Sequence, residues 1–219
     1  MIKKLQALKA KKGFTLVELV VVIAIIGVLA AILVPTMIGV VQDSNITSAD
    51  STASQIKTQA TNFLTKADAA KNAIRGTDEL KTITCTVTAA GGDGDPAPVK
   101  KWTVKCEGVT FGQNKDWKLT GTDKNTCFDA YMADVLRDFN NGYAEIYVKD
   151  AAVIGVAVVP GGVADDIKKA SETESALQSA DIWTGSQQMT WKGNKAGVGA
   201  DSIIVGTAPK IAHKAAASK

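Results

Sequence analysis

Histidine is all but missing from this chain: the single copy, His213, stands near the C-terminal end. That excludes a histidine-based triad or a histidine metal cluster in a folded core. Cysteine is scarce as well, with Cys85, Cys106 and Cys127 and none after them. No glycine-rich loop closes on Lys-Ser or Lys-Thr, so a nucleotide phosphate loop is not encoded. Acidic pairs such as Asp165-Asp166 adjoin on a polar stretch and suit solvation better than acid–base chemistry. Asp93-Gly94-Asp95 has the flavour of a calcium loop, yet no third ligand position or closing Glu follows at EF-hand spacing. No catalytic residue, metal site or cofactor is therefore assigned, and the chain is not expected to be an enzyme.

Charge is absent from one long stretch. Leu19 to Val41 holds 23 residues without an acid or a base, and Thr36 is its only polar side chain. As a helix at about 1.5 Å per residue it would run about 34 Å, enough to cross a bilayer core. One carboxylate, Glu18, sits just inside the apolar run. An acid at mid-bilayer costs about 2.5–3.5 kcal/mol on insertion scales, so it calls for a function and a partner. A secretory signal peptide fits poorly: the apolar run is too long and Gly13 precedes it. A plain anchor explains the length and the flanking lysines but not Gly13, Phe14 or Glu18.

Lys11 to Ala24 reads KKGFTLVELVVVIA. A short basic leader ending in Gly13, then Phe14-Thr15-Leu16-x-Glu18, then an apolar helix with Pro35, resembles the type IV prepilin family, which includes the pseudopilins of type II secretion and DNA-uptake systems. The resemblance covers residues 3–45. It implies cleavage between Gly13 and Phe14 by a prepilin peptidase, N-methylation of Phe14, and subunit assembly through Glu18 and the amine of a neighbour's Phe14. It also implies a helix kinked or loosened at Pro35, where a backbone hydrogen bond is lost. Pairing makes two charges tolerable that are too costly to bury singly. The partners so implied are further copies of the chain, minor pilins, the peptidase, a membrane assembly platform and the cytoplasmic membrane. Lys3, Lys4, Lys9, Lys11 and Lys12 precede the span, and the positive-inside rule keeps that end in the cytoplasm. The precursor is thus expected as a single-pass protein of the cytoplasmic membrane, and the assembled form as an extracellular filament. The leader carries five lysines and no acid, so the formal net charge of +3 becomes −2 without it. Nothing in that balance suggests nucleic-acid binding.

The expected organisation is a leader (1–13), a transmembrane and polymerisation helix (14–42), its amphipathic continuation (43–75), and an α+β head (76–219) with a loose basic tail from Ala208. The continuation carries Ile46, Ala49, Ala53, Ile56, Ala60, Phe63, Ala67, Ala70 and Ile74 in alternating steps of three and four, one apolar stripe on a helix. Gly76 is expected to cap it. About 140 residues follow, enough for a core. Strands are expected at Thr82–Thr88, Lys101–Cys106, Tyr143–Val148 and Val153–Val159, with shorter ones at Gln188–Trp191 and Ser202–Val205. A helix is expected over Asp123–Phe139, capped by Asn125 or Thr126, and helical character over Ala164–Asp181. The fold class is pilin-like: a long helix on an antiparallel sheet.

Cys85 and Cys106 lie symmetrically about the turn between the first two strands and are expected to form a disulfide, with Cys106–Cys127 the alternative. The resemblance would place a second cysteine pair late in many pilins, and this chain has none. Trp102, Trp117, Trp183 and Trp191 would offer a platform for a polysaccharide or another surface ligand if exposed; the competing expectation is that they are core. Three functions stay open on sequence: a subunit of a type IV pilus-like filament serving adhesion, surface attachment or motility; a pseudopilin of a secretion or DNA-uptake machine; and a membrane-anchored binding module that never polymerises.

Overall fold

A computed structural model describes residues 14–88, 101–105, 107–112, 116–136, 139, 141–170, 176–185, 188–193 and 195–212. The chain divides into two compact units, Met1–Ser44 and Asn45–Lys219. Helix α1 (Leu16–Ala69) is followed by β1 (Lys81–Thr88), β2 (Lys101–Lys105), α2 (Phe128–Val135), β3 (Gly142–Lys149), β4 (Ala152–Pro160), α3 (Ala164–Ala170), α4 (Ala180–Trp183) and β5 (Gly206–Ala208). All strand pairs are antiparallel, in the order β2-β1-β3-β4-β5. The long helix on an antiparallel sheet is the expected α+β architecture.

In the second unit the helical stripe lies where its spacing puts it. Ile46, Ala49, Ala53, Ile56, Ala60, Phe63 and Ala67 are buried on α1, joined by Leu64. Ala53, Ile56, Ala60, Phe63 and Leu64 share one core cluster with Ile83, Cys85, Val87, Ala144, Ile146, Val148, Val156 and Val158 of β1, β3 and β4, which form the inner sheet face. Phe63 is the hub: Phe111, Trp117, Phe128 and Tyr131 ring it with centroids 5.3–6.0 Å away. The opposite helix face carries hydroxyls that bond inward. Thr52, Thr58 and Thr61 each donate to the carbonyl four residues back, at 2.8–3.0 Å.

The helix ends earlier than the stripe suggests. Lys71, at φ 61°, takes the left-handed position, with Asn72 N–H on Ala67 O and Lys71 N–H on Asp68 O, both 2.8 Å. This is a Schellman ending built on lysine. Gly76 does have φ 77°, but it serves the passage toward β1 beyond the helix. Ala70 is consequently exposed, and Ile74 reaches the core from an irregular segment.

Three other expectations are corrected, and one open alternative is decided. The second helix is only Phe128–Val135, with Cys127 at its N-cap. Asp123 instead organises the preceding turn, accepting Asn125 N–H at 2.9 Å and the Thr126 hydroxyl at 3.2 Å. Neither Gln188–Trp191 nor Ser202–Val205 is a strand; the last strand is Gly206–Ala208. The tail is not loose at its start, since Ala208 and Ile211 are buried, while 213–219 and His213 lie outside the described residues. Trp102, Trp183 and Trp191 are buried and Trp117 is half-buried against Phe63, so the sugar-platform reading loses its surface.

What the sequence hid is a second layer. The outer face of β3 and β4 is covered by Ile167, Ala170, Leu177, Ile182, Trp183, Trp191 and Val205. Trp183 lies flat over β4 because position 155 is glycine: a Cβ there would stand 2.1 Å from the indole. Tyr147, cross-strand from Gly155, stacks on the same indole at 4.6 Å.

The outer face also buries a carboxylate. Glu145 is flanked on β3 by Tyr143 and Tyr147, whose hydroxyls donate to its two oxygens at 3.1 and 2.5 Å. Burial, and secondarily the Glu145 charge, push both phenols well above their ordinary value near 10. Burial also raises Tyr131, the third and last tyrosine. A phenol raised in the folded state keeps its proton where the unfolded chain loses it. Its stabilising contribution is therefore whole below about pH 10 and is lost as pH climbs beyond that. An alkaline titration followed by ultraviolet phenolate absorbance should show Tyr143 and Tyr147 missing from the ordinary tyrosine step near pH 10. Their ionisation should instead appear together with loss of the far-ultraviolet dichroism.

Candidate functional site

The N-terminal end of α1 is where the chemistry concentrates. Phe14 stands ahead of the helix and is 82% exposed. Thr15 and Glu18 form a capping box. The Glu18 amide donates to Thr15 Oγ1 at 3.2 Å, while Glu18 Oε2 accepts the Thr15 amide and the Thr15 hydroxyl, both at 2.8 Å. Two helix-end donors are thereby satisfied, and the carboxylate sits at the positive end of the helix dipole. The Thr-x-x-Glu spacing was the available signal for this box, and it lies within the very motif that points to assembly.

The expected site residues are thus only partly brought together. Phe14 and Glu18 both stand at the start of one helix, and Thr15, the neighbour of Phe14 in the chain, is the group bonded to Glu18. Gly13, on the other side of the expected cleavage bond, lies outside the described residues. Pro35 sits inside α1, which runs on through it; the Thr36 hydroxyl donates to Leu33 O at 2.9 Å beside it. Every large hydrophobic side chain from Phe14 to Val41 is exposed, and the helix is long and apolar enough to cross a membrane.

The cysteine geometry differs from expectation. Cys85 is buried on the inner face of β1, and its cross-strand partner is Val104. The β1–β2 register is set two residues away from the symmetric placement that would put Cys106 opposite Cys85. Cys106 itself lies outside the described residues, as do Asp93, Gly94 and Asp95. Cys127 is buried beside Thr126, whose hydroxyl is 3.9 Å from its sulfur. Among the described residues no cluster of three or more His, Cys, Asp or Glu could hold a metal ion.

Comparison with known proteins bears on the same segment. Residues 8–34 match the prokaryotic N-terminal methylation motif. A fimbrial protein of Pseudomonas aeruginosa is 49% identical over 53 residues, 24% of this chain and 34% of that protein. The chain thus spans about a third of that relative's length. The type IV narrow pilus major component PilA5 of Thermus thermophilus is 46% identical over 46 residues, 21% of this chain and 40% of that protein. The fimbrial protein EcpC of Eikenella corrodens is 35% identical over 126 residues, 55% of this chain and 80% of that protein. No solved structure matches significantly. A methylation motif, a capped glutamate at the head of an apolar helix, and a match over most of a fimbrial protein agree: the chain belongs to the type IV pilin family.

Proposed function

We propose that this chain is the structural subunit of a type IV pilus-like surface filament. The observation that carries the reading is the exposed apolar helix. Its large side chains from Phe14 to Val41 are 47–82% exposed, a surface that water does not tolerate at that extent. Lipid covers it before assembly, and the helices of other copies cover it afterwards. Glu18, inside this apolar surface, supplies the charge that an incoming Phe14 amine meets once the leader has been cut after Gly13. The peptidase, the assembly platform and minor pilins are the partners this route requires. The head, 76 onwards, lies outside the membrane on this reading.

A lone subunit does not leave Glu18 bare, because Thr15 of the same chain satisfies one oxygen twice. The carboxylate alone therefore does not exclude a solitary anchored module.

The test has two readouts. Mass spectrometry of the mature protein should give an N-terminus at Phe14, methylated on its amine; a start elsewhere overturns the prepilin route. Electron microscopy with an antibody to the head should decorate long sheared surface filaments. Labelling confined to short periplasmic structures supports the pseudopilin role instead, and labelling of the membrane alone supports the anchored module.

A further inference from the structure

The long helix presents two charged side chains, seven residues apart, to the β4–β5 end of the sheet. Asp50 Oδ1 accepts the Thr207 amide of β5 at 2.9 Å, and Lys210 Nζ lies 3.1 Å from Asp50 Oδ2. Lys57 Nζ donates to the Ile154 carbonyl of β4 at 3.0 Å. Ile154 is the residue passed over where the β3–β4 register shifts, since Tyr147 faces Gly155 and Val148 faces Val153. The helix thus supplies an acceptor to an amide of the last strand and a donor to the carbonyl left over by the bulge.

The strand behind them is hazardous. β4 reads AVIGVAVVP, nine residues without a charge. β5 is only three residues long and covers it from Val156 to Val158. A long uncharged apolar strand with so little cover is a template for pairing with another chain. β5 is held down closely: a Cβ on Gly206 would lie 2.1 Å from the Ala49 carbonyl carbon, so its backbone rests directly on the helix. Ile211 N–H donates to Thr207 Oγ1 at 3.1 Å and turns the chain back after the strand.

We propose that Asp50 and Lys57 act as an edge guard, fastening β5 over β4 and occupying the bulge carbonyl, so that β4 of a second copy cannot add to the sheet. The guard leaves association between copies to surfaces other than this edge, and it stands whether or not the filament reading holds.

The experiment uses the mature chain in detergent micelles, comparing wild type with Asp50→Ala, Lys57→Met and the double variant. Amide hydrogen exchange should accelerate at least tenfold in β5 of Asp50→Ala, with β1 and β3 amides unchanged. Sedimentation should show concentration-dependent association in the variants, greatest in the double, with an infrared signature of intermolecular sheet. A synthetic peptide spanning Val205 to Ile211, added in trans, should suppress that association by occupying the β4 edge. Unchanged β5 exchange in both single variants overturns the proposal. So does association that the peptide leaves untouched. If Asp50→Ala also loosens β1 and β3, Lys57→Met decides, because it keeps the alkyl stem and removes only the donor: association blocked by the peptide sustains the guard, and a dispersed variant overturns it.

Discussion

Glu18→Ala should abolish surface filaments while leaving the subunit inserted and cleaved. The substitution deletes the one ionised group inside the apolar run, so insertion is unharmed or eased. The expected scissile bond, between Gly13 and Phe14, lies upstream of the change. On the proposed assembly route, what is lost is the partner for an incoming Phe14 amine. Stranding one half of a buried pair costs about 3–5 kcal/mol, and in a filament that cost recurs at every subunit. A smaller local loss accompanies it, because the capping box dissolves. Thr15→Ala separates the two effects: it damages the box and keeps the carboxylate, so it should thin filament yield without erasing it. The measurement is sheared filament against membrane-retained subunit for wild type and both variants. Normal filaments from Glu18→Ala would refute the assembly role.

Phe63→Ala should be the most damaging single truncation in the head. The ring is fully buried and in contact with four other aromatic side chains drawn from three separate segments. Truncating such a residue removes about 3–5 kcal/mol through lost transfer energy and the cavity left behind. A domain of this size holds roughly 5–15 kcal/mol in all, so Tm should fall by roughly 10 °C or more. Thr58→Ala on the opposite helix face is the control. Its hydroxyl bonds to Ser54 O of its own helix, and the change should stay within about 0.5 kcal/mol. Equal melting of the two variants would mean that the stripe is not the anchor of the sheet.

The parts of this fold that were legible in the sequence are those ruled by local periodicity. Steps of three and four from Ile46 to Ala67 named the buried helix face, β-branched alternation named β1, and the apolar runs bounded by turn residues named β3 and β4. The Gly-Phe-Thr-Leu-x-Glu run named the segment where the chemistry gathers. The helix end was missed because the stripe continues in sequence through Ala70 and Ile74, while the backbone turns at Lys71, a residue with no special liking for positive φ. The outer layer was missed because it is assembled from pieces too short to carry a period, and its cohesion comes from Gly155 making room for Trp183, a contact across 28 positions. The β1–β2 register was misjudged because symmetry about a turn fixes pairing only when the turn type is known. Glu145 was hidden in β3, where Tyr143, Glu145 and Tyr147 share the face that the second layer covers.

The capping box at the head of α1 bears on supply as well as on joining. A subunit whose Glu18 already holds two donors from its own Thr15 is not an unstable intermediate that must be consumed at once. On the proposed filament reading it would accumulate in the bilayer as stock. Growth would then exchange one set of hydrogen bonds for a stronger, charged one, and its driving force would be the difference between the two. That makes joining easier to reverse than the rescue of a naked charge would be. Subunits released from a dismantled polymer would return to the same self-satisfied form, ready for another round without resynthesis.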